Sequence, residues 1–325
     1  MQNIEQLFDA KFIASLFAEK IPDFASKHDL SDLTAAPIKK YIGGDFYQIV
    51  IRYDCASFGY KPVFCTAHSK ENRKNAFNAL TYINNHALKQ NNIFLPNPLF
   101  FDNEYGAFFY QGIDGKNLLH YIKKKEFDLT AHLKSSAELI AYVHEVPAEK
   151  AENFNPENSR IKTIVPGPEN FLAKIEKLFP EKFGQIKENF YYLAKLDQEN
   201  LDAKTNICLI HGDFHPENVI INEEHGKFSI IDFTDICLAD WARDVGNFLQ
   251  QLRFMSYGER SIDEIKKNQE IFLNAYLEKR SITKNSKIES RINLYKSWSA
   301  LRSAIYFLIK GGPEPKNADV VLKEI

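Results

Sequence analysis

HGDFHPENVIINEEHGKFSIIDFTD, residues 211–235, is the stretch from which the rest of the chain can be read. It follows the apolar run Cys208, Leu209, Ile210, so His211, Asp213 and Asn218 occupy a loop leaving a strand, and Pro216 stiffens that loop. NVIIN and FSIID are short apolar runs on either side of the turn EEHG, the pattern of a β-hairpin. Their pairing would carry Asn218 and Asp232 to the same end of the hairpin. Two hard oxygen donors, with the Asp213 carboxylate as a third group, are what Mg²⁺ with a phosphate substrate requires. Asp213 is then available to orient a substrate hydroxyl or accept its proton.

Outward from this stretch the pattern changes twice. Ile4, Leu7, Phe8, Phe12, Leu16 and Phe17 recur at helical spacing and predict an opening amphipathic helix. IKKYI, FYQIVIRY and VFCTAH, separated by GGD and SFGYKP, predict antiparallel hairpins. A helix over 71–88 and the strands NPLFFDN and GAFFYQGI complete a small sheet. Beyond Gly115, helices are expected over 130–146, on both sides of Pro180, and from Asp240 onward, with a loosely held tail from Gly311. Strands first and helices later predict an α+β chain of two lobes, an N-terminal lobe of residues 1–111 and a C-terminal lobe of residues 112–325.

Composition bounds the function. With 325 residues, 44% hydrophobic and 26% charged, the chain is an ordinary globular protein. A net charge of −2 gives no basis for binding nucleic acid. Cys55, Cys65, Cys208 and Cys237 form no CxxC pair and read as small buried hydrophobes in a reducing compartment. Glu5 and Asp9 interrupt any signal-like segment, and no apolar run approaches the roughly 20 residues of a spanning helix. A cytoplasmic protein with no membrane partner is expected.

HGDFHPEN resembles the catalytic-loop motif H-x-D-x-x-x-x-N of the protein-kinase-like fold, and the Gly after the His is similar to the aminoglycoside phosphotransferase and choline kinase branch. IDF at 231–233 resembles the start of that fold's metal-binding motif. DWARDVGNF at 240–248 looks like the helix whose Asp, here Asp244, braces the catalytic loop, and LIAYVHEVP at 139–147 like the helix before it. FFYQGIDGKNL at 108–118 is similar to the hinge whose backbone holds adenine. The resemblance covers most of residues 40–250. It implies a bilobal protein-kinase-like fold, with a small, mainly antiparallel β lobe and a larger helical one. The implied activity is Mg²⁺-dependent transfer of the γ-phosphoryl of ATP or GTP to a hydroxyl of a sugar, an amino sugar such as an aminoglycoside, or an amino alcohol. It makes Asp213 the catalytic base, with His211 bracing the loop, and Asn218 and Asp232 the metal ligands. On the nucleotide side it implicates Gly43, Gly44, Arg52, Gln111, Ile113 and Ile231.

The pattern also has departures. Enzymes of this fold carry a Lys on the third strand, paired with a Glu on the following helix. VFCTAH has no Lys, His68 being its only potential cation, and KNAFNALTYI has no acid. Three accounts are open: another cation substitutes, Arg52 first and Lys61 or Lys70 as alternatives; the chain is a catalytically silent nucleotide-binding module; or the alignment of this loosely patterned lobe is displaced by several residues. Thr234 stands where protein kinases usually have Gly. His215 reads as a surface residue and Phe233 as core. Tyr191, Tyr192, Trp298 and Tyr306 are candidates for the acceptor wall, although aromatic residues at helical spacing more often fill cores. Residues 202–247 carry nine acids against three bases, an excess assigned to metal, base and solvated carboxylates. The basic residues after 248 read as solvated helix faces.

Overall fold

The computed structural model describes residues 4–71, 73–88, 90–164, 167–202 and 207–325. Asn72, inside the expected helix, and Lys204, one of the three bases counted above, lie outside the described residues. The first elements are α1 (Ala10–Lys20), α2 (Pro22–Ala25), β1 (Thr34–Gly43), β2 (Phe46–Asp54), β3 (Val63–His68), α3 (Arg73–His86), β4 (Asn97–Asp102) and β5 (Ala107–Gln111). After them come β6 (Lys116–Asn117), α4 (Leu118–Ile122), α5 (Thr130–His144), α6 (Pro168–Leu178), α7 (Pro180–Asp202), β7 (Ile207–Ile210), β8 (Val219–Asn222) and β9 (Lys227–Ile230). The chain ends with β10 (Cys237–Asp240), α8 (Ala242–Ser256), α9 (Ile262–Lys279), α10 (Ser286–Ile309) and α11 (Pro315–Leu322). Two compact units result: one takes the chain up to Lys116 together with Ile220–Thr234, the other Asn117–Val219 with Asp235–Ile325.

The first unit holds a five-stranded antiparallel sheet in the order β1-β2-β3-β5-β4. Pro37 lies on β1, an edge strand, beside a register shift, where its missing N–H leaves no hole in the ladder. Strand alternation sends Ile49, Ile51, Tyr53, Val63, Cys65 and Ala67 to one core with Leu7, Ile13 and Phe17. Phe64, Thr66 and His68 take the opposite face. Arg52, directly across the ladder from Phe64, shares that face. The expected opening helix is divided. The Asp9 carboxylate accepts from the amides of Lys11 (2.8 Å) and Phe12 (3.2 Å), so α1 starts there, and Ile4–Phe8 forms a separate 3-10 turn. β8 and β9 are hydrogen-bonded neighbours, as the turn between them implies.

The second unit is mainly helical. Its antiparallel pair β7–β10 sets Ile210 opposite Cys237 and Ile207 opposite Asp240. β10 was not expected, because CLAD is four residues long and half of it, Ala and Asp, disfavours strands. The segment after Gly311 is not a loose tail: α11 buries Ala318, Val321 and Leu322, which recur on one helical face. All four cysteines are free and buried.

Candidate active site

In the second unit the loop after β7 is held by one buried carboxylate. Asp244, in the first turn of α8, accepts from the His211 amide through Oδ2 (2.7 Å) and from the Gly212 amide through Oδ1 (2.9 Å). His144 Nε2 lies 3.0 Å from Oδ2, and the Tyr276 hydroxyl lies 2.7 Å from His144 Nδ1. Burial pushes the His144 imidazole down, which fits a neutral ring donating to Asp244 and accepting from Tyr276. Burial also opposes ionisation of Asp244, but His144 and then His211 outweigh it and hold the carboxyl below its usual range. Gly212 has φ +83, and a Cβ there would stand 2.3 Å from the Asp235 carbonyl oxygen; only glycine fits. Phe214 anchors the loop from below, stacked on Phe248 at 5.0 Å. Its carbonyl accepts from Asn247 Nδ2 (2.9 Å), which is itself oriented by Ser299.

On this braced backbone Asp213 keeps a third of its side chain exposed (32%). Arg302 Nη1 donates to its Oδ1 at 3.0 Å and Nη2 to Asp235 Oδ2 at 3.4 Å. His215 Nε2 lies 3.6 Å from Asp213 Oδ2, so this half-buried loop residue, expected at the surface, is turned toward Asp213. Burial works against the charged form of Asp213, but Arg302, then His215 and His211, dominate and hold the carboxyl well below the usual carboxylate range. Asn218 Nδ2 donates to the Asp213 carbonyl (3.0 Å), which leaves Asn218 Oδ1 for a ligand. Among the expected acceptor-wall aromatics, Trp298 is core, 6.2 Å from Phe190. Tyr191, Tyr192 and Tyr306 are exposed on the outward faces of α7 and α10, against the core reading.

In the first unit Asp232 adopts φ +65, uncommon for a non-glycine residue. The Thr234 hydroxyl donates to its Oδ1 at 2.6 Å, and Arg73 Nη1 both donates to that hydroxyl and lies 4.0 Å from Asp232 Oδ1. Gly43 and Gly44 end β1 and turn into β2, Gly44 at φ +56, the left-handed conformation a tight hairpin uses. Arg52 has the expected face but is engaged: Nε meets Asp54 at 2.8 Å and Nη1 meets Asp114 at 2.6 Å. Lys61 lies over Tyr60 and Phe94, and Lys70 over Phe46. Gln111 donates its side chain to the Lys61 carbonyl (3.1 Å). The amides of Gly112 and Asp114 donate to Pro62 O and Tyr60 O, and Ile113 between them is buried. Ile231 and Phe233 follow β9, Phe233 buried as expected. Among the described residues no cluster of three His, Cys, Asp or Glu side chains is disposed to hold a metal.

A sequence profile described as the phosphotransferase enzyme family matches residues 64–278. The chain belongs to this family. Solved structures agree on the fold. An ethanolamine kinase from Plasmodium vivax superposes with a TM-score of 0.57 at 17% identity, over 96% of this chain and 86% of that one. A choline/ethanolamine kinase family protein from Mesorhizobium loti gives 0.58 at 14% identity, over 97% and 92%. The aminoglycoside phosphotransferase APH(2'')-IIa, solved as a ternary complex with streptomycin and ATP, gives 0.55 at 14% identity, over 99% and 97%. No curated protein matches the chain. The phosphotransferase thus has the α+β, protein-kinase-like fold, and the silent-module alternative finds no support. No described helix is long and apolar enough to cross a membrane.

Three side chains that contact the candidate residues Asp213 and Asp232 were missed in the sequence. Arg302 was placed among solvated helix bases, and nothing in its neighbourhood on α10 distinguishes it. Arg73 falls just beyond the strand in which the cation was sought, and the nearby Glu71 was a usable signal. Thr234 was noted only as a departure, whereas its hydroxyl connects Arg73 with Asp232.

Proposed function

We propose that this phosphotransferase moves the γ-phosphoryl group of ATP or GTP, with Mg²⁺, to a hydroxyl of a small molecule such as a sugar, an amino sugar or an amino alcohol. The observation that carries the reading is the loop 211–218: a partly exposed Asp213 paired with Arg302 on a backbone pinned by buried Asp244. This carboxylate is made less basic by the paired Arg302. Its part is to align the acceptor hydroxyl and to receive the proton as the new bond to phosphorus forms, in a reaction driven by positioning and charge stabilisation. Arg302 holds one carboxylate oxygen and leaves the other toward His215. ATP as donor accords with the ATP-bound relative, and a small hydroxylated acceptor with the ethanolamine kinase and the streptomycin complex.

Asn218 and Asp232 are the proposed Mg²⁺ ligands, and their chemistry suits that ion. The Asp232 side chain is 57% exposed, and Asn218 presents Oδ1 because its nitrogen is committed. Two protein oxygens suffice when phosphates complete the shell. Bound there, Mg²⁺ would neutralise the charge that builds on the transferring phosphoryl group. The nucleotide side is assigned to Gly43, Gly44, Gln111, Ile113 and Ile231, and the workplace to the cytoplasm, where four unpaired cysteines are at home. Purified protein with nucleotide, Mg²⁺ and a panel of hydroxyl acceptors should consume nucleotide, and Asp213→Ala should abolish turnover; equal turnover in that variant would refute the assignment.

A further inference from the structure

The strand lysine expected of this fold is missing from β3, yet the first unit contains a buried cation immediately beyond it. We propose that Arg73, oriented by Glu71 and coupled to Asp232 through Thr234, is the group that meets the nucleotide's phosphates in place of that lysine. The inference rests on the phosphotransferase reading above.

Four observations carry it. The Arg73 side chain is 8% exposed, with Nη2 2.9 Å from Glu71 and Nη1 on Thr234 and within 4.0 Å of Asp232. This reproduces, from a different place in the chain, a cation paired with a glutamate beside the motif carboxylate. Second, its Nε is buried and has no hydrogen-bond partner among the described residues. An unpaired buried N–H on a cation is costly, and a guanidinium is suited to grip phosphate oxygens through two N–H groups at once. Third, Arg73 opens α3, whose first turn holds no acid. A cation at the positive end of a helix opposes the macrodipole, the kind of local conflict that marks a functional position. Fourth, the other candidates are occupied. Arg52 is paired with Asp54 and Asp114, and burial, despite Glu71, lowers the His68 imidazole and favours its neutral form. Arg73 Nη1 lies 4.0 Å from Asp232 Oδ1, so this cation and the carboxylate assigned to the metal share one neighbourhood.

Isothermal titration with two probes, ATP–Mg²⁺ and adenosine, tests the assignment. Arg73→Gln should weaken ATP–Mg²⁺ binding about tenfold or more, and adenosine, which lacks phosphates, by less than about twofold. Arg73→Lys should recover part of the ATP affinity, and Arg52→Gln should leave the ratio of the two affinities unchanged. Circular dichroism would verify that each variant folds. Parallel loss of both probes in Arg73→Gln, or wild-type ATP affinity in it while the parent protein turns over, overturns this inference alone. Wild-type protein that binds neither probe overturns it together with the reading on which it rests.

Discussion

Each unit turns an arginine toward a carboxylate of the motif, but the two carboxylates are held by different means. Asp213 sits on a loop in which two amides, the Phe214 carbonyl and the Phe214 ring are bound by buried groups: Asp244, Asn247 and Phe248. Asp232 is more exposed, sits in a left-handed backbone conformation, and is held by one hydroxyl and a distant guanidinium. The first arrangement ties the reactive group to the stability of the unit. The second leaves the group adjustable and stores strain in it, as ligand-binding positions commonly do. Substitutions in the second unit should therefore damage folding and function together, whereas those around Asp232 should damage function with folding largely intact.

The largest effect tests that division directly. Asp244→Ala leaves two buried amides and His144 without their acceptor, and should cost about 3–5 kcal/mol in urea unfolding. Asp232→Asn should remove turnover while changing stability by less than about 0.5 kcal/mol, because asparagine accepts the left-handed conformation. Equal stability losses in the two variants would break the comparison. Gly212→Ala comes next. Positive φ alone costs about 1–3 kcal/mol, and contact with the Asp235 carbonyl forces the loop to move, so both the unfolding midpoint and kcat should fall.

Arg302 supplies a test that reads charge. In the wild type Asp213 stays ionised well below the ordinary carboxylate pKa of about 4, so it should not limit activity on mild acidification. Arg302→Met removes the main influence that lowers the Asp213 pKa, and the acid limb of kcat/KM should move to higher pH. The same depressed pKa contributes stability that is complete above the unfolded value and lost as pH falls through the folded one. The variant should accordingly lose its stability advantage at neutral pH and show a flatter acid unfolding curve. An unmoved acid limb would remove Arg302 from the account of the base.

Legibility differed between the units for a physical reason. The loop 211–218 carries its candidate groups in contiguous residues whose spacing is imposed by one tight backbone path, so Asp213 and Asn218 stood out in the sequence itself, whereas the bracing role of Asp244 came only from the family resemblance. The strands and the antiparallel hairpins were legible from alternating hydrophobic residues and glycine turns, which are local, whereas the order β1-β2-β3-β5-β4, with β5 between β3 and β4, is set by tertiary pairing. Arg302 reaches Asp213 across 89 residues of chain, a contact set by tertiary packing of α10 and invisible to periodicity. Arg73 was missed differently: the cation was sought on β3, whereas Arg73 pairs with Glu71 from the start of α3, and the short spacing of the two was the one local signal. Asp9 and α11 were boundary errors, one a cap inside an apolar repeat, the other a short apolar face behind Gly311–Gly312.

The smallest expected effect is also the sharpest on the coupling within the first unit. Thr234→Val preserves side-chain shape but removes the hydroxyl that donates to Asp232 and accepts from Arg73. A single hydrogen bond of this kind contributes about 1 kcal/mol, equivalent to about a fivefold change in an equilibrium constant. If the hydroxyl serves to hold the strained carboxylate, that change should appear in the KM for nucleotide–Mg²⁺, with kcat nearly constant and the thermal midpoint little moved. Combined with Arg73→Gln, the effects should be less than additive, since the two residues share one contact chain. Full additivity would mean that Arg73 and Asp232 act independently, and that Thr234 marks only a tolerated departure from glycine.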